Sequence, residues 1–122
     1  MNSNLLIVSE NERTQVYDLD TRSTWEVGRP YKEIDPDIKF YGKSVSRKHG
    51  RLQNIDGFWF YLDNNRKNGT RYNGKQIGPG INGRIKPVML EDGDVLEFGG
   101  GDRSSDSCRP ATAKYVINQI ND

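Results

Sequence analysis

Turn-forming residues cut this chain into short pieces, and none of the pieces carries the apolar period of about 3.6 residues that commits a segment to a helix. Gly, Asn, Asp and Pro return roughly every eight to twelve residues, the spacing of an all-β sandwich or barrel. Between them, apolar residues alternate with polar ones or form short runs, as strands require. The pattern predicts strands over 5–9, 15–19, 24–27, 49–55, 58–63, 95–98 and 114–120, with shorter ones over 70–72 and 75–77. Asp56-Gly57 and Asn73-Gly74 each join two strand-like runs and suit hairpin turns that need positive φ. Asp92-Gly93-Asp94 turns the chain into Val95-Leu96-Glu97-Phe98. Segments 78–87 and 99–110 read as longer loops, the second rich in Gly, Ser and Asp.

At 122 residues the chain supports one domain around one core, and no fixed-period repeat divides it. The longest apolar run, Leu5-Leu6-Ile7-Val8, is far short of the roughly 20 residues a membrane-spanning helix needs. Glu10, Glu12 and Arg13 follow that run too closely for a secretory signal. The expectation is a soluble protein inside the cell, cytoplasmic by default, with no membrane partner. Cys108 is the only cysteine and His49 the only histidine. An internal disulfide and a cysteine-based zinc site within the chain are therefore excluded. No Walker-type loop or metal-ligand spacing is present, and Gly99-Gly100-Gly101 lacks the strand-to-helix context of a nucleotide-phosphate loop. The expectation is a protein that is not an enzyme, with no catalytic residue, no metal and no cofactor.

The net charge of +1 hides an asymmetry. Between Lys39 and Lys75 lie Lys43, Arg47, Lys48, Arg51, Arg66, Lys67 and Arg71, opposed only by Asp56 and Asp63. This segment sets up a local positive field that favours an anionic partner. Within and beside it, Gly28-Arg29, Ser46-Arg47-Lys48-His49, Asn68-Gly69-Thr70 and Asn73-Gly74 follow in order. They put guanidinium groups, a hydroxyl and an amide on strand ends or loops. A phosphate ester carries close to two negative charges at neutral pH and three strong acceptor oxygens. Guanidinium forks match it in a bidentate way, while hydroxyls and backbone N–H groups fill the remaining lone pairs.

As an ordered set these motifs resemble the forkhead-associated (FHA) domain family, over about residues 5–120 of a single domain spanning 1–122. The resemblance implies an all-β fold, a sandwich of two twisted and mostly antiparallel sheets with little or no helix. It also implies a monomeric module that binds a threonine-phosphorylated protein or peptide through loops at one end. Carried over by position, Arg29 would contact the phosphate, Ser46 would donate its hydroxyl to it, and Arg47 would be a second contact. Asn68 would hold the peptide main chain, and Lys67 would reach the phosphate or the pocket wall. Gly28, His49 and Gly69 would be scaffold, with the histidine bracing the binding loops and doing no chemistry. Peptide selection three residues after the phosphothreonine would fall to Lys43, Ser44 and the loop holding Arg103, whose charges suggest an acidic residue there.

The chain departs from the family pattern at Arg66, where a serine is common, and at Gly50, where a small apolar residue is usual. Glycine there is expected to weaken a strand without touching the site. An interaction or dimerisation domain of the same fold that binds its partner without phosphate is the alternative reading. Nucleic-acid binding is a further one, since Phe58, Trp59, Phe60 and Tyr61 lie among basic residues and aromatics can stack bases. Strand alternation, however, turns half of these side chains into the core.

Overall fold

The computed structural model describes residues 2–64, 69–78, 86–99 and 111–119. Eleven strands and one short 3₁₀ turn appear in chain order: β1 (Asn2–Glu10), β2 (Arg13–Asp18), the turn Leu19–Thr21, β3 (Thr24–Gly28), β4 (Ile38–Lys39), β5 (Gly50–Ile55), β6 (Phe58–Asp63), β7 (Thr70–Tyr72), β8 (Lys75–Gly78), β9 (Val88–Met89), β10 (Val95–Phe98) and β11 (Ala111–Gln119). A six-stranded sheet runs in the order β2-β1-β11-β10-β7-β8, and a five-stranded sheet in the order β4-β3-β5-β6-β9. All pairings are antiparallel except that of β3 with β4. The expected two-sheet β-sandwich is thus the observed fold.

Alternation along the strands explains why the sheets face each other. In β6, Trp59, Tyr61 and Asp63 are buried while Phe58 points outward at 60% exposure. Leu6, Val27, Ile38, Leu52, Leu96 and Phe98 meet these side chains between the layers. The hairpin turns behave as their sequences require. Asp56 and Gly57 have φ of 54° and 88°, and Asn73 and Gly74 have 49° and 83°, the left-handed pair that matches strand twist.

Two strands escape the sequence pattern. β4 and β9 are two residues long, too short to display a period. β4 exists because β3 offers it a parallel edge, with Val27 opposite Ile38 and Gly28 opposite Lys39. The pairing fixes where the chain re-enters the sandwich after the β3–β4 connection.

Gly50 departs from its expectation. A Cβ there would lie 2.2 Å from the Tyr61 hydroxyl, so the missing side chain leaves room for a buried phenol. The Tyr61 hydroxyl donates to Asp63 at 2.8 Å, and burial followed by the Asp63 charge pushes its pKa well above the ordinary value.

The opposite end of the sandwich is held by a second polar cluster. Asp94 accepts from the Tyr72 hydroxyl, from Asn73 Nδ2 at 3.0 Å and from the Glu91 amide at 2.8 Å. Asn73 Oδ1 in turn accepts from the Val95 amide at 2.8 Å. Burial opposes the Asp94 charge, but these donors outweigh it and hold its pKa below the usual carboxylate value. Burial, then the Asp94 hydrogen bond, pushes the Tyr72 phenol up to about 12, and burial with Asp20 and Asp92 nearby does the same for Tyr115.

Gly50→Ala is expected to cost about 1–3 kcal/mol through overpacking against Tyr61, read as a lower urea midpoint at unchanged slope. The pH dependence follows from the signs of the shifts. The raised phenols of Tyr72 and Tyr115 contribute stability below pH 10 that is lost as pH rises toward about 12. The depressed Asp94 contributes stability above pH of about 4 that is lost as pH falls below it. Urea midpoints across pH should fall in both windows, and Tyr72→Phe should flatten the alkaline limb.

Candidate functional site

The connections after β3, β4 and β6 emerge at one end of the sandwich, and their anchoring begins with a glycine. Gly28 closes β3 where the connection between β4 and β5 crosses it. A Cβ there would lie 2.0 Å from the Arg47 carbonyl oxygen, so only glycine lets the two backbones approach. Immediately beyond, the Arg29 amide donates to the Ser46 carbonyl at 3.1 Å and its Nε donates to the Val45 carbonyl at 3.0 Å. Arg29 is half-buried and lies directly against the segment that carries Ser46. Among the described residues, neither the terminal N–H groups of its fork nor the Ser46 hydroxyl has a protein acceptor or donor.

The segment between β4 and β5 is pinned from two sides. At its base, the Glu10 carboxylate reaches across from β1 and accepts from the Tyr41 and Gly42 amides at 2.7 and 2.8 Å. Near its end, the Ser46 amide donates to His49 Nδ1 at 3.0 Å. That contact makes Nδ1 an acceptor and puts the imidazole proton on Nε2. Nε2 lies 2.9 Å from both the Gly69 carbonyl and the Thr70 hydroxyl oxygen, so it donates toward the start of β7. The Thr70 hydroxyl then donates to Asp63, the same carboxylate that Tyr61 meets. One buried chain therefore runs from Ser46 through His49 and Thr70 to Asp63 and Tyr61. It joins the start of β5, the end of β6 and the start of β7. Phe98 closes its apolar side, with ring centres 5.4 Å from His49 and 5.6 Å from Tyr61.

Gly69 has φ of 73°, and its carbonyl accepts from the Gly99 amide at 3.1 Å as well as from His49. Gly99 lies tight against Ser44, whose carbonyl oxygen would be 2.5 Å from an added Cβ. Gly28, Arg29, Ser44, Ser46, His49 and Gly69 are thus gathered at one end. Arg47 and Lys43 are exposed on the same connection as Ser46. Arg47 stacks on Tyr31, its guanidinium carbon 3.4 Å from the ring centre. A groove of about 520 Å³ runs beside it, lined by Glu33, Ile34, Pro36, Arg47, Lys48 and Arg51 among others. Lys67, Asn68, Arg66, Arg103 and Cys108 lie outside the described residues, as do most of the two long expected loops. Asn73-Gly74, last in the ordered motif set, sits at the far end, where it secures the turn into β10.

Chemically, this end offers a guanidinium fork and a hydroxyl side by side on a backbone fixed by buried bonds, with further cations around them. Such an arrangement is chemically able to hold a doubly charged oxyanion. Sequence reasoning did not single out Glu10, Tyr31, Tyr61 or Asp63 in these roles. Glu10 and Asp63 act across strands that are distant in sequence, and no local pattern marks them. Tyr31 had one available signal, its place two residues after Arg29.

A family model for the FHA domain matches residues 25–99. Among solved structures, the yeast Pml1 splicing factor is similar at 21% identity and a TM-score of 0.74, covering 98% of this chain and 82% of that one. The FHA domain of the CT664 protein from Chlamydia trachomatis matches at 22% identity and a TM-score of 0.67, covering 93% and 96%. An engineered FHA domain solved with a Myc-pTBD peptide matches at 20% identity and a TM-score of 0.66, covering 95% and 91%. At these identities the structural likeness is one of fold. A search of the curated proteins finds no match.

Removing the imidazole leaves the Ser46 amide and the Thr70 hydroxyl region without their partner in a buried place. His49→Ala is therefore expected to lower stability by about 2–4 kcal/mol in urea unfolding. A loss below about 0.5 kcal/mol, the scale of an ordinary surface change, would show that the loops stand without it.

Proposed function

The chain belongs to the forkhead-associated domain family, and from that membership we propose that it binds a phosphothreonine-containing segment of another protein. Domains of this family are generally phosphopeptide-binding interaction modules and not enzymes. The observation that carries the reading to this chain is that the terminal N–H groups of Arg29 and the hydroxyl of Ser46, on adjoining segments, have no protein partner among the described residues. A charge-assisted hydrogen bond contributes about 1.5–3 kcal/mol net, so two or three hold a short peptide without a deep pocket. In this reading Arg29 and Ser46 bind phosphate oxygens, Arg47 adds a second guanidinium, and Lys67 and Asn68 contribute from the β6–β7 connection. Lys43, Ser44 and Arg103 select an acidic residue three positions after the phosphothreonine. The module acts as a single monomeric domain inside the cell.

Threonine is preferred to serine for two physical reasons. Burying one methyl is worth about 0.8 kcal/mol, close to a factor of four in affinity. β-Branching also restricts the phosphorylated side chain to fewer rotamers before binding.

Titration with degenerate phosphothreonine, phosphoserine and unphosphorylated peptide libraries tests the reading. Binding is expected for phosphothreonine, weaker by several-fold for phosphoserine and absent without phosphate. Arg29→Ala should abolish it while lowering stability in urea unfolding by no more than about 1.5 kcal/mol, the scale of the lost bond to the Val45 carbonyl. Equal binding with and without phosphate would move the function to a phosphate-independent contact.

A further inference from the structure

Tyr31 lies on the β3–β4 connection two residues beyond Arg29, and the phosphate-binding reading gives it no role. Its ring is the surface on which the Arg47 guanidinium rests, 3.4 Å from carbon to ring centre. That is direct contact of a planar cation with an aromatic face, well inside the roughly 6 Å range of cation–π attraction. The backbone that carries the ring is held in place. Tyr31 and Ile34 exchange backbone hydrogen bonds at 3.1 and 2.9 Å, and Lys32 closes the turn between them with φ of 53°. The Lys32 ammonium lies 5.3 Å from the same ring centre. Arg47 forms no ion pair among the described residues, although Glu33 and Asp35 line the same groove and Asp35 is engaged by Lys39 at 3.1 Å.

We propose that Tyr31 is a positioning residue for phosphopeptide binding, an aromatic platform that fixes the Arg47 guanidinium before the ligand arrives. The proposal rests on the phosphothreonine reading above. An exposed arginine samples many rotamers, and a ligand that uses it must immobilise them at a cost in affinity. Stacking removes part of that cost in advance. It covers one face of the guanidinium and leaves the edges, where all the N–H donors lie, directed away from the ring. A lysine cannot make the same flat contact while presenting a fork, so the pair specifies arginine at position 47.

The test uses the full chain and a single phosphothreonine peptide drawn from the library. Affinity is measured for the unaltered protein, Tyr31→Phe, Tyr31→Ala, Tyr31→Leu, Arg47→Ala and the double variant Tyr31→Ala/Arg47→Ala, with thermal melts for each and Arg29→Ala as the site control. Tyr31→Ala and Tyr31→Leu are expected to weaken binding roughly three- to tenfold, the scale of a cation–π contact. Tyr31→Phe should stay within about twofold, because it keeps the ring and loses only the hydroxyl. In the Arg47→Ala background, removing Tyr31 should change nothing further. Tyr31→Leu keeps bulk without a π-face, so it separates the platform from simple packing even if the alanine variant melts early. Unchanged affinity in Tyr31→Leu, or the same loss with and without Arg47, overturns the inference while Arg29→Ala still shows the site to be real. Failure of the unaltered protein to bind any phosphothreonine peptide removes both readings together.

Discussion

The imidazole of His49 sits at 1% exposure between the ends of three strands, accepting from the Ser46 amide on one nitrogen and donating toward Gly69 and Thr70 from the other. An unpaired polar group in such a place costs about 1–3 kcal/mol, so each partner is bound to its position as firmly as the ring is. The connections after β4 and β6 meet at the open end of the β5–β6 hairpin, where Gly50 pairs with Asp63. His49 ties them by satisfying a donor on one and an acceptor on the other, and Asn64 Nδ2 adds a bond to the Lys48 carbonyl at 2.9 Å. Behind it, Thr70, Asp63 and Tyr61 extend the chain of bonds into the core, and Phe98 seals it from the six-stranded sheet.

Two glycines show how closely the surrounding backbone is drawn in. Gly28 lets the Arg47 carbonyl pass where any side chain would collide, and this brings Ser46 against Arg29. Gly50 leaves the volume that the Tyr61 hydroxyl occupies. The first glycine shapes the surface that carries Arg29 and Ser46, and the second shapes the core beneath it. Arg29 and Ser46 can then present polar groups outward because the burial demands beneath them are already met. Preorganisation of this kind lets a shallow surface hold a phosphate, since little ordering is left for the ligand to impose.

The opposite end of the sandwich repeats the principle with different chemistry. There an aspartate, Asp94, gathers three donors and fixes the Asn73-Gly74 turn against β10. The Asn-Gly pair thus owes its place in the ordered motif set to the scaffold. Among the described residues, polar clusters secure both ends of an apolar middle.

Much of the frame was legible in the chain because its cause is local. Alternation along β6 turned half of its aromatic residues into the core, which the structure fills with Trp59 and Tyr61, and Asp56-Gly57 and Asn73-Gly74 announced their turns through the positive φ that those residues tolerate. The ordered Gly-Arg, Ser-Arg-Lys-His and Asn-Gly-Thr pieces were equally visible, since they are runs of residues. Tertiary structure alone decided the rest. β4 and β9 are too short to have a period and exist only because a neighbouring strand offers hydrogen bonds. Glu10 holds Tyr41 and Gly42 from the other sheet, Arg47 finds Tyr31 across two connections, and Gly50 is required by a phenol eleven positions away on the paired strand. A sequence records the preferences of neighbouring residues, whereas these contacts depend on which distant backbones the folded sheets bring within a few ångströms.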